Sequence, residues 1–498
     1  MLVELDGEHL TIADVCIVAA GKSGAALAPS AIDKMRRSRE PIERLAAGDE
    51  PIYGVNTGVG LLADVRIARE DLDRLQINVV RSHAAGVGAP LAREVVRAMM
   101  LIRANVLAKG LSGIRPLVAE RICDLLNRGV TPVIPEQGSV GASGDLAPLA
   151  HMALVLIGEG EAEFEGAVLV GGEALRRAGL APIELHPKEG LSLINGTQAM
   201  LAIGCLELEA AQILVDTADV IAALTLDAQR GTPRAFDERI HAARPHAGQG
   251  ESARRLRDLL EGSEIRQSHL TCRRVQDAYS LRCVPQVHGA VRDALTEARR
   301  IFAIELNSAT DNPLVFGEEI LSGGNFHGEP LAFQLDFLAI ALSALAGISE
   351  RRIDRLVNPA LNEDLTPFLA GRAGLESGLM MVQVTAASLV AENRVLAHPA
   401  STGSITTSGN KEDFVSMGMT SALKLQRVVR NTRAVLAIEA LAAARALDEL
   451  APLRTSPVLE EVRARIRAVS PPIAADRAFH RDIAALEKQI AAKGLQVE

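Results

Sequence analysis

Proline is missing from two of the longest apolar stretches of this chain, and that limits what they can form. Residues 197–229 read TQAMLAIGCLELEAAQILVDTADVIAALTLDAQ, and Met419 to Leu450 is equally free of proline. A helix interior rejects proline, because the ring removes one hydrogen bond and collides with the preceding turn. Thr197 can cap the start of the first stretch, and Gly231 follows its end. In the second, Leu425, Val428, Val429, Val435, Leu436 and Ile438 recur near helical spacing, with Arg427, Arg430 and Arg433 on other faces. Residues 333–348 and 379–396 carry the same pattern. Helices of this length, rich in alanine and leucine, predict a mainly α fold: a long-helix bundle with little β structure. Residues 165–174, EGAVLVGGEA, read as one small hairpin. No fixed-period repeat or low-complexity linker interrupts the chain, so 1–498 reads as a single unit. Its N-terminal part covers 1–195; a central bundle and C-terminal helices cover 196–498. The apolar faces exceed what one subunit can bury, so an obligate oligomer is expected.

With 48% hydrophobic and 23% charged residues, the chain has the makeup of a folded globular protein. Its net charge of -9 argues against a general nucleic-acid or anionic-membrane surface. The start, MLVELDGEHL, has no basic region followed by an apolar core, so no secretory signal is expected. Uncharged runs such as 190–206 include Asn, Thr and Gln and fall short of a membrane span. Cys16, Cys123, Cys205, Cys272 and Cys283 form no CxxC pair, which suits free thiols in a reducing cytoplasm. ADVCIVAAGKSG (13–24) resembles a strand entering a phosphate loop, but Cys16 stands where that pattern requires glycine. Ser143 is no hydrolase nucleophile of the G-x-S-x-G kind, because Asp145 occupies the second glycine position. The histidines never form HExxH, with His241 and His246 five apart, so no catalytic metal is expected.

The chemistry concentrates in GSVGASGDLAPLAH, residues 138–151. A glycine-rich turn entering a helix usually cradles a phosphate, but this one has no lysine to meet it. In a strained turn the amide nitrogen of Gly144 can approach the carbonyl carbon of Ala142. Small side chains lower the steric barrier, and glycine reaches backbone angles that other residues do not. Attack and loss of water close a five-membered imidazolone; loss of the Ser143 hydroxyl as a second water leaves an exocyclic methylidene. The product is a strong electrophile made from the chain itself. A helix starting near Leu146 would aim its positive end at that group. Taken alone, Ala-Ser-Gly reads more readily as a plain glycine-rich turn than as an electrophile.

Further blocks accompany it in order: YGVNTGVG (53–60), RSHAAGVG (81–88), LINGTQAM (193–200), VQDAYSLRCVPQVHG (275–289), GGNFHGEP (323–330) and NKEDFVSMG (410–418). The chain's two tyrosines, Tyr53 and Tyr279, both fall inside these blocks. With GSVGASGDLAPLAH they span nearly the whole chain and strongly resemble the aromatic amino acid ammonia-lyase family. The resemblance implies the helical fold of that family and a 4-methylidene-imidazole-5-one formed from Ala142, Ser143 and Gly144, with no external cofactor. It also implies a homotetramer in which three subunits build each site.

Within the family, Ser82-His83 resembles the pair of the histidine-specific members. Glu412 matches the acid they carry where phenylalanine-specific members usually have Gln, and Met380 matches a side chain lining the imidazole pocket. An imidazole ring offers nitrogens that a carboxylate and a second imidazole can bind, whereas a phenyl ring offers none. A buried Glu412 facing a phenyl ring would be left unpaired at considerable cost. The resemblance thus implies deamination of L-histidine to trans-urocanate and ammonia. It gives Arg282 and Asn195 the substrate carboxylate, Tyr53 the role of base for the β-proton with Glu412 as rival candidate, and Asp145 a part in ring closure. It gives Tyr279, Gln276 and Phe326 the support of the electrophile and the leaving amine. Val59, Lys411, Phe414, Val284 and His288 depart from frequent family residues, and Lys411 could pair with Glu412. Those departures leave room for a tyrosine ammonia-lyase or a histidine or tyrosine 2,3-aminomutase; the non-enzymatic alternative is a silent helical oligomer.

Overall fold

The computed structural model describes residues 2–48, 50–270 and 275–497; Cys272 lies outside them. Long helices form where proline is missing: Gln198–Ala228 and Gly418–Glu449 match the two proline-free stretches closely. The predicted 379–396 segment is the helix Met380–Leu396. Residues 333–348 are only the apolar middle of a longer helix, Glu329–Val357. Pro330 sits in its first turn, where the missing N–H has no helical partner to lose, and its far end is charged. Val284–Leu306 was hidden in the same way, with Pro285 in its first turn and charges breaking its apolar run.

The hairpin lies four residues earlier than the sequence suggests. Strands Glu161–Phe164 and Ala167–Val170 pair antiparallel, and residues 171–177 are helical. Glu165 and Gly166 make the turn with φ of 50° and 79°, the left-handed pair a two-residue hairpin requires. Glu161–Phe164 did not read as a strand because two of its four residues are acidic, yet Ala162 and Phe164 are buried.

Close contacts gather the chain into two compact units, each drawn from three stretches. One comprises Met1–Leu206, Arg299–Asp336 and Pro399–Leu423; the other comprises Glu207–Ala298, Phe337–His398 and Lys424–Glu498. The four longest helices contribute residues to both units, so the sequence division at 195 is not the line between them. Gln198–Ala228 and Glu329–Val357 are long and apolar enough to cross a bilayer, more than the uncharged run 190–206 suggested. Within this chain 67% and 50% of their most apolar windows are already buried.

In the first unit, helix Arg93–Ala108 is buried from Val95 onward and forms the packing centre. In the second, Leu425, Val428, Val429, Val435, Leu436 and Ile438 are all buried, while Arg427 and Arg430 are exposed, as their spacing predicts. A polar knot crosses that core. Glu439 accepts from Arg352 Nε and Nη2 (2.5 and 2.8 Å), Ser349 Oγ (2.6 Å) and Thr225 Oγ1 (2.8 Å). His288, one of the departures, is fully buried and pairs through Nδ1 with Asp219 at 2.7 Å.

Candidate active site

The Ala-Ser-Gly turn is built on glycine geometry. Gly144 has φ +74° and forms a parallel bridge with Gly196. The Gly196 N–H donates to Ser143 O (3.2 Å), and the Asp145 N–H donates to Gly196 O (2.7 Å). A Cβ on Gly144 would stand 2.0 Å from that Gly196 oxygen. Glycine is required here both by backbone angle and by space. Ala142 is buried, while Ser143 is half-buried and turns its hydroxyl outward.

Helix Leu146–Leu156 begins directly after the turn, as expected, with Asp145 as its first flanking residue. The Asp145 side chain does not cap that helix. It accepts from Ser139 Oγ (2.9 Å), from the Met200 N–H (2.9 Å) and from the Ala199 N–H, so it caps Gln198–Ala228 instead. Thr197, predicted for that job, donates its hydroxyl to Glu305 Oε1 at 2.7 Å. Complete burial pushes the Asp145 carboxyl up to about 6, against the pull of those three donors.

Above the turn lies a cavity of about 410 Å³ whose walls all belong to the first unit. Tyr53, His83, Ser143, Asn195, Phe326 and Glu412, six of the predicted site residues, line it together. Ser143 Oγ donates to Glu412 Oε1 at 2.9 Å, joining residues 269 apart in sequence. The other carboxylate oxygen accepts from Thr407 Oγ1 (2.7 Å) and Ser408 Oγ (2.8 Å). Hydroxyls therefore hold Glu412, and Lys411 beside it is exposed. The turn that carries Ser408 is wound through three successive left-handed residues, Ser408, Gly409 and Asn410, at φ 50°, 61° and 69°.

His83 ends helix Leu72–His83 and bonds back through Nδ1 to Val79 O at 2.7 Å. A carbonyl only accepts, so Nδ1 carries a proton, and in the neutral ring Nε2 is the acceptor. The Gly60 N–H donates to Tyr53 Oη at 3.3 Å. Asn195 ends helix Glu189–Ile194, and its backbone oxygen accepts from the fully buried Arg103 at 2.8 Å.

The remaining predicted residues, Gln276, Tyr279, Arg282 and Met380, belong to the second unit. Tyr279 and Arg282 bracket a single helical turn, with the guanidinium carbon 4.6 Å from the ring centroid, a cation–π distance. Gln276 and Tyr279 are exposed, and Met380 is on the border of exposure. Phe414 is exposed too and stacks on His327, ring centroids 6.0 Å apart.

Sequence reasoning missed several neighbours. Leu61, Leu62, Leu146, Leu191, Asn312 and Ser408 also line the cavity. Thr407 and Ser139 fix Glu412 and Asp145, and Gly196 supports the turn. The Ser-Gly-Asn run at 408–410 marks a tight turn on composition alone. Nothing local links it to Ser143.

A family model for aromatic amino acid lyases matches residues 10–468. The chain belongs to the aromatic amino acid lyase family. It is therefore a carbon–nitrogen lyase. Among its relatives, a histidine ammonia-lyase of Koribacter versatilis is 61% identical over 502 residues, 98% of this chain and 97% of that one. The crystal structure of histidine ammonia-lyase from Trypanosoma cruzi superposes with a TM-score of 0.92 at 42% identity, covering 99% of this chain and 94% of that one. Tyrosine aminomutase from Streptomyces globisporus superposes with 0.93 at 41% identity, covering 99% and 98%.

Proposed function

We propose that this protein deaminates L-histidine non-oxidatively to trans-urocanate and ammonia, using an electrophile it makes from its own Ala142, Ser143 and Gly144. The observation that carries this reading is the joint presence of Ser143, Glu412 and His83 in one cavity. The residues fit a 4-methylidene-imidazole-5-one. Gly144 lies in the left-handed region with no room for a side chain, Ala142 is small and buried, and the Ser143 hydroxyl is free to leave toward the cavity. When formed, that group supplies an electrophilic carbon that turns the substrate's amine into a better leaving group.

The chain's own residues do the rest. His83 Nε2 is an acceptor and takes an N–H of the substrate imidazole, which a phenyl ring lacks. Glu412 stands within hydrogen-bond reach of the Ser143 hydroxyl, close to where the β-proton must leave, and competes with Tyr53 as base. Asp145, buried beneath the turn, can hold or release a proton near neutrality for ring closure. Arg282 offers the planar fork that suits the substrate carboxylate. Gln276, Tyr279, Arg282 and Met380 act in a homotetramer, where subunits share sites. Exposed apolar side chains support that assembly: Phe333, Phe337 and Ile340 follow one face of Glu329–Val357, and Met381, Val384 and Val395 stud Met380–Leu396. Among the described residues, Cys16, Cys123, Cys205 and Cys283 are not joined in disulfides, which supports residence in the cytoplasm.

The test is purified protein with L-histidine, L-tyrosine and L-phenylalanine, products separated by chromatography. Urocanate and ammonia from histidine support the reading; no urocanate at saturating histidine refutes it. The likeness to a tyrosine aminomutase favours a second reading, a 2,3-aminomutase. Such an enzyme would yield a β-amino acid in the same experiment.

A further inference from the structure

The Gly-Lys-Ser-Gly run at 21–24 fails as a phosphate loop in its sequence, yet it lines a cavity that collects positive charge. Helix Ile12–Ala19 precedes it and strand Gly24–Leu27 follows, the reverse of the strand-to-helix order a phosphate loop needs. The cavity, about 470 Å³, lies in the first unit between that turn, the start of helix Arg93–Ala108 and the end of helix Pro116–Arg128. It shares no lining residue with the cavity around Ser143. Among the described residues, Lys22, Arg93, Arg97 and Arg128 line it and no Asp or Glu does. A chain of net charge -9 has no compositional reason to gather four cations without an acid.

Part of this charge has a structural explanation. Arg97, 4% exposed, donates through Nε to Val18 O (3.0 Å) and through Nη1 to Leu126 O (3.2 Å), so it caps the last turns of two helices. Its Nη2 has no partner among the described residues. Lys22 follows one helix and Arg128 ends another, where cations suit the negative end of the macrodipole. Arg93 is the exception. It opens its helix, at the positive end, and stands four residues before Arg97, a spacing at which like charges repel. Burial first, then the charge of Arg93, holds the Arg97 guanidinium below its usual range, with Glu94 pulling the other way. None of Lys22, Arg93 and Arg128 forms an ion pair among the described residues. Local charge rules are broken chiefly where function requires it, and a bound anion would set this one right.

We propose that this cavity binds a dianionic phosphate group, free or as the monoester of a small polyol, on Lys22, Arg93, Arg128 and Nη2 of Arg97. Guanidinium forks match phosphate oxygens, and a dianion between Arg93 and Arg97 turns their repulsion into shared attraction. The volume falls in the range of small-molecule sites, and no aromatic side chain lines it to stack a base, which favours a polyol ester over a nucleotide.

The experiment is calorimetric titration of the full protein with inorganic phosphate, in chloride buffer at constant ionic strength. The unsubstituted protein is expected to bind one phosphate per chain with a Kd of about 0.1–1 mM, and Arg93→Gln to weaken binding by about tenfold or more. Arg254→Gln removes an exposed arginine paired with Glu251 and Asp258 in the second unit and should leave binding unchanged. Urea unfolding separates a binding residue from a structural one. In chloride, Arg93→Gln should be no less stable than the unsubstituted protein, because it removes a like-charge pair. In about 10 mM phosphate the unsubstituted protein should become the more stable, since only it gains from the ion. Lys22→Gln, measured alike, serves if Arg93→Gln does not fold. Ribose 5-phosphate distinguishes the sources: tighter binding than phosphate marks an ester site, weaker binding a site for the free ion. No saturable binding, full binding by Arg93→Gln, or equal weakening by Arg254→Gln overturns the proposal.

Discussion

Replacing Gly144 by alanine isolates what the turn demands. Two costs add. An alanine at φ +74° is held in a left-handed backbone, at about 1–2 kcal/mol. Its Cβ would also stand 2.0 Å from Gly196 O, a backbone atom that cannot swing aside, so the strands must part by roughly an ångström. Overpacking of that kind costs about 1–3 kcal/mol. The movement strains the two bonds that join the strands, from Gly196 N to Ser143 O and from Asp145 N to Gly196 O. The expected loss is therefore about 2–5 kcal/mol. Two controls grade it. Gly166 has φ +79° with open space around it, so Gly166→Ala bears only the backbone cost, about 1–2 kcal/mol. Gly323 has open space and an ordinary φ, so its replacement should be neutral or gain up to about 1 kcal/mol from the unfolded chain. Urea unfolding followed by circular dichroism, at one protein concentration throughout, ranks the three. Intact mass then shows whether the turn still loses two waters, and Gly144→Ala should not. A Gly144→Ala protein no less stable than Gly166→Ala and carrying the full mass deficit would refute the argument.

Ser143→Ala should retain assembly while losing both the two-water mass deficit and urocanate formation; residual turnover would contradict a self-made electrophile. Asp145→Asn should show the pH linkage of a raised carboxyl. With a folded value of about 6 against 3.8 unfolded, wild type keeps its full advantage below about pH 4 and loses it as pH rises through 6. Unfolding at pH 4 and 7.5 should show that margin shrinking by about 2.5 kcal/mol, and a pH-independent margin would count against the buried carboxyl. Glu439→Gln leaves the buried Arg352 uncompensated and should destabilise by about 3–5 kcal/mol, measured by the urea midpoint; a change under about 1 kcal/mol would mean that Arg352 finds another partner.

The helices were legible because their cause is local. Thr197 to Gln229 excludes proline and carries an apolar pattern, and both conditions act within a few residues. Boundaries failed where local signals mislead: Pro330 and Pro285 read as breakers although the first turn tolerates them, and the acidic Glu161–Phe164 hid a strand whose alternate residues face inward. The Ala-Ser-Gly turn was legible as well, since Ala142, Ser143 and Gly144 are neighbours in the chain. Its support was not. Thr197 is a sound N-cap by every local rule, yet Asp145 does the capping from another segment.

Sequence alone determined the helical class, the turn of small residues at Ala142-Ser143-Gly144 and the set of side chains from which a site could be made. Only the tertiary structure decided that Glu412 meets Ser143 across 269 residues and that Asn195 donates its side-chain amide to Asp311, 116 residues away. The reason is one of range. Helix propensity and a local turn are fixed by interactions a few residues long, whereas the partners of a carboxylate or an amide depend on burial, and burial exists only once distant segments have packed.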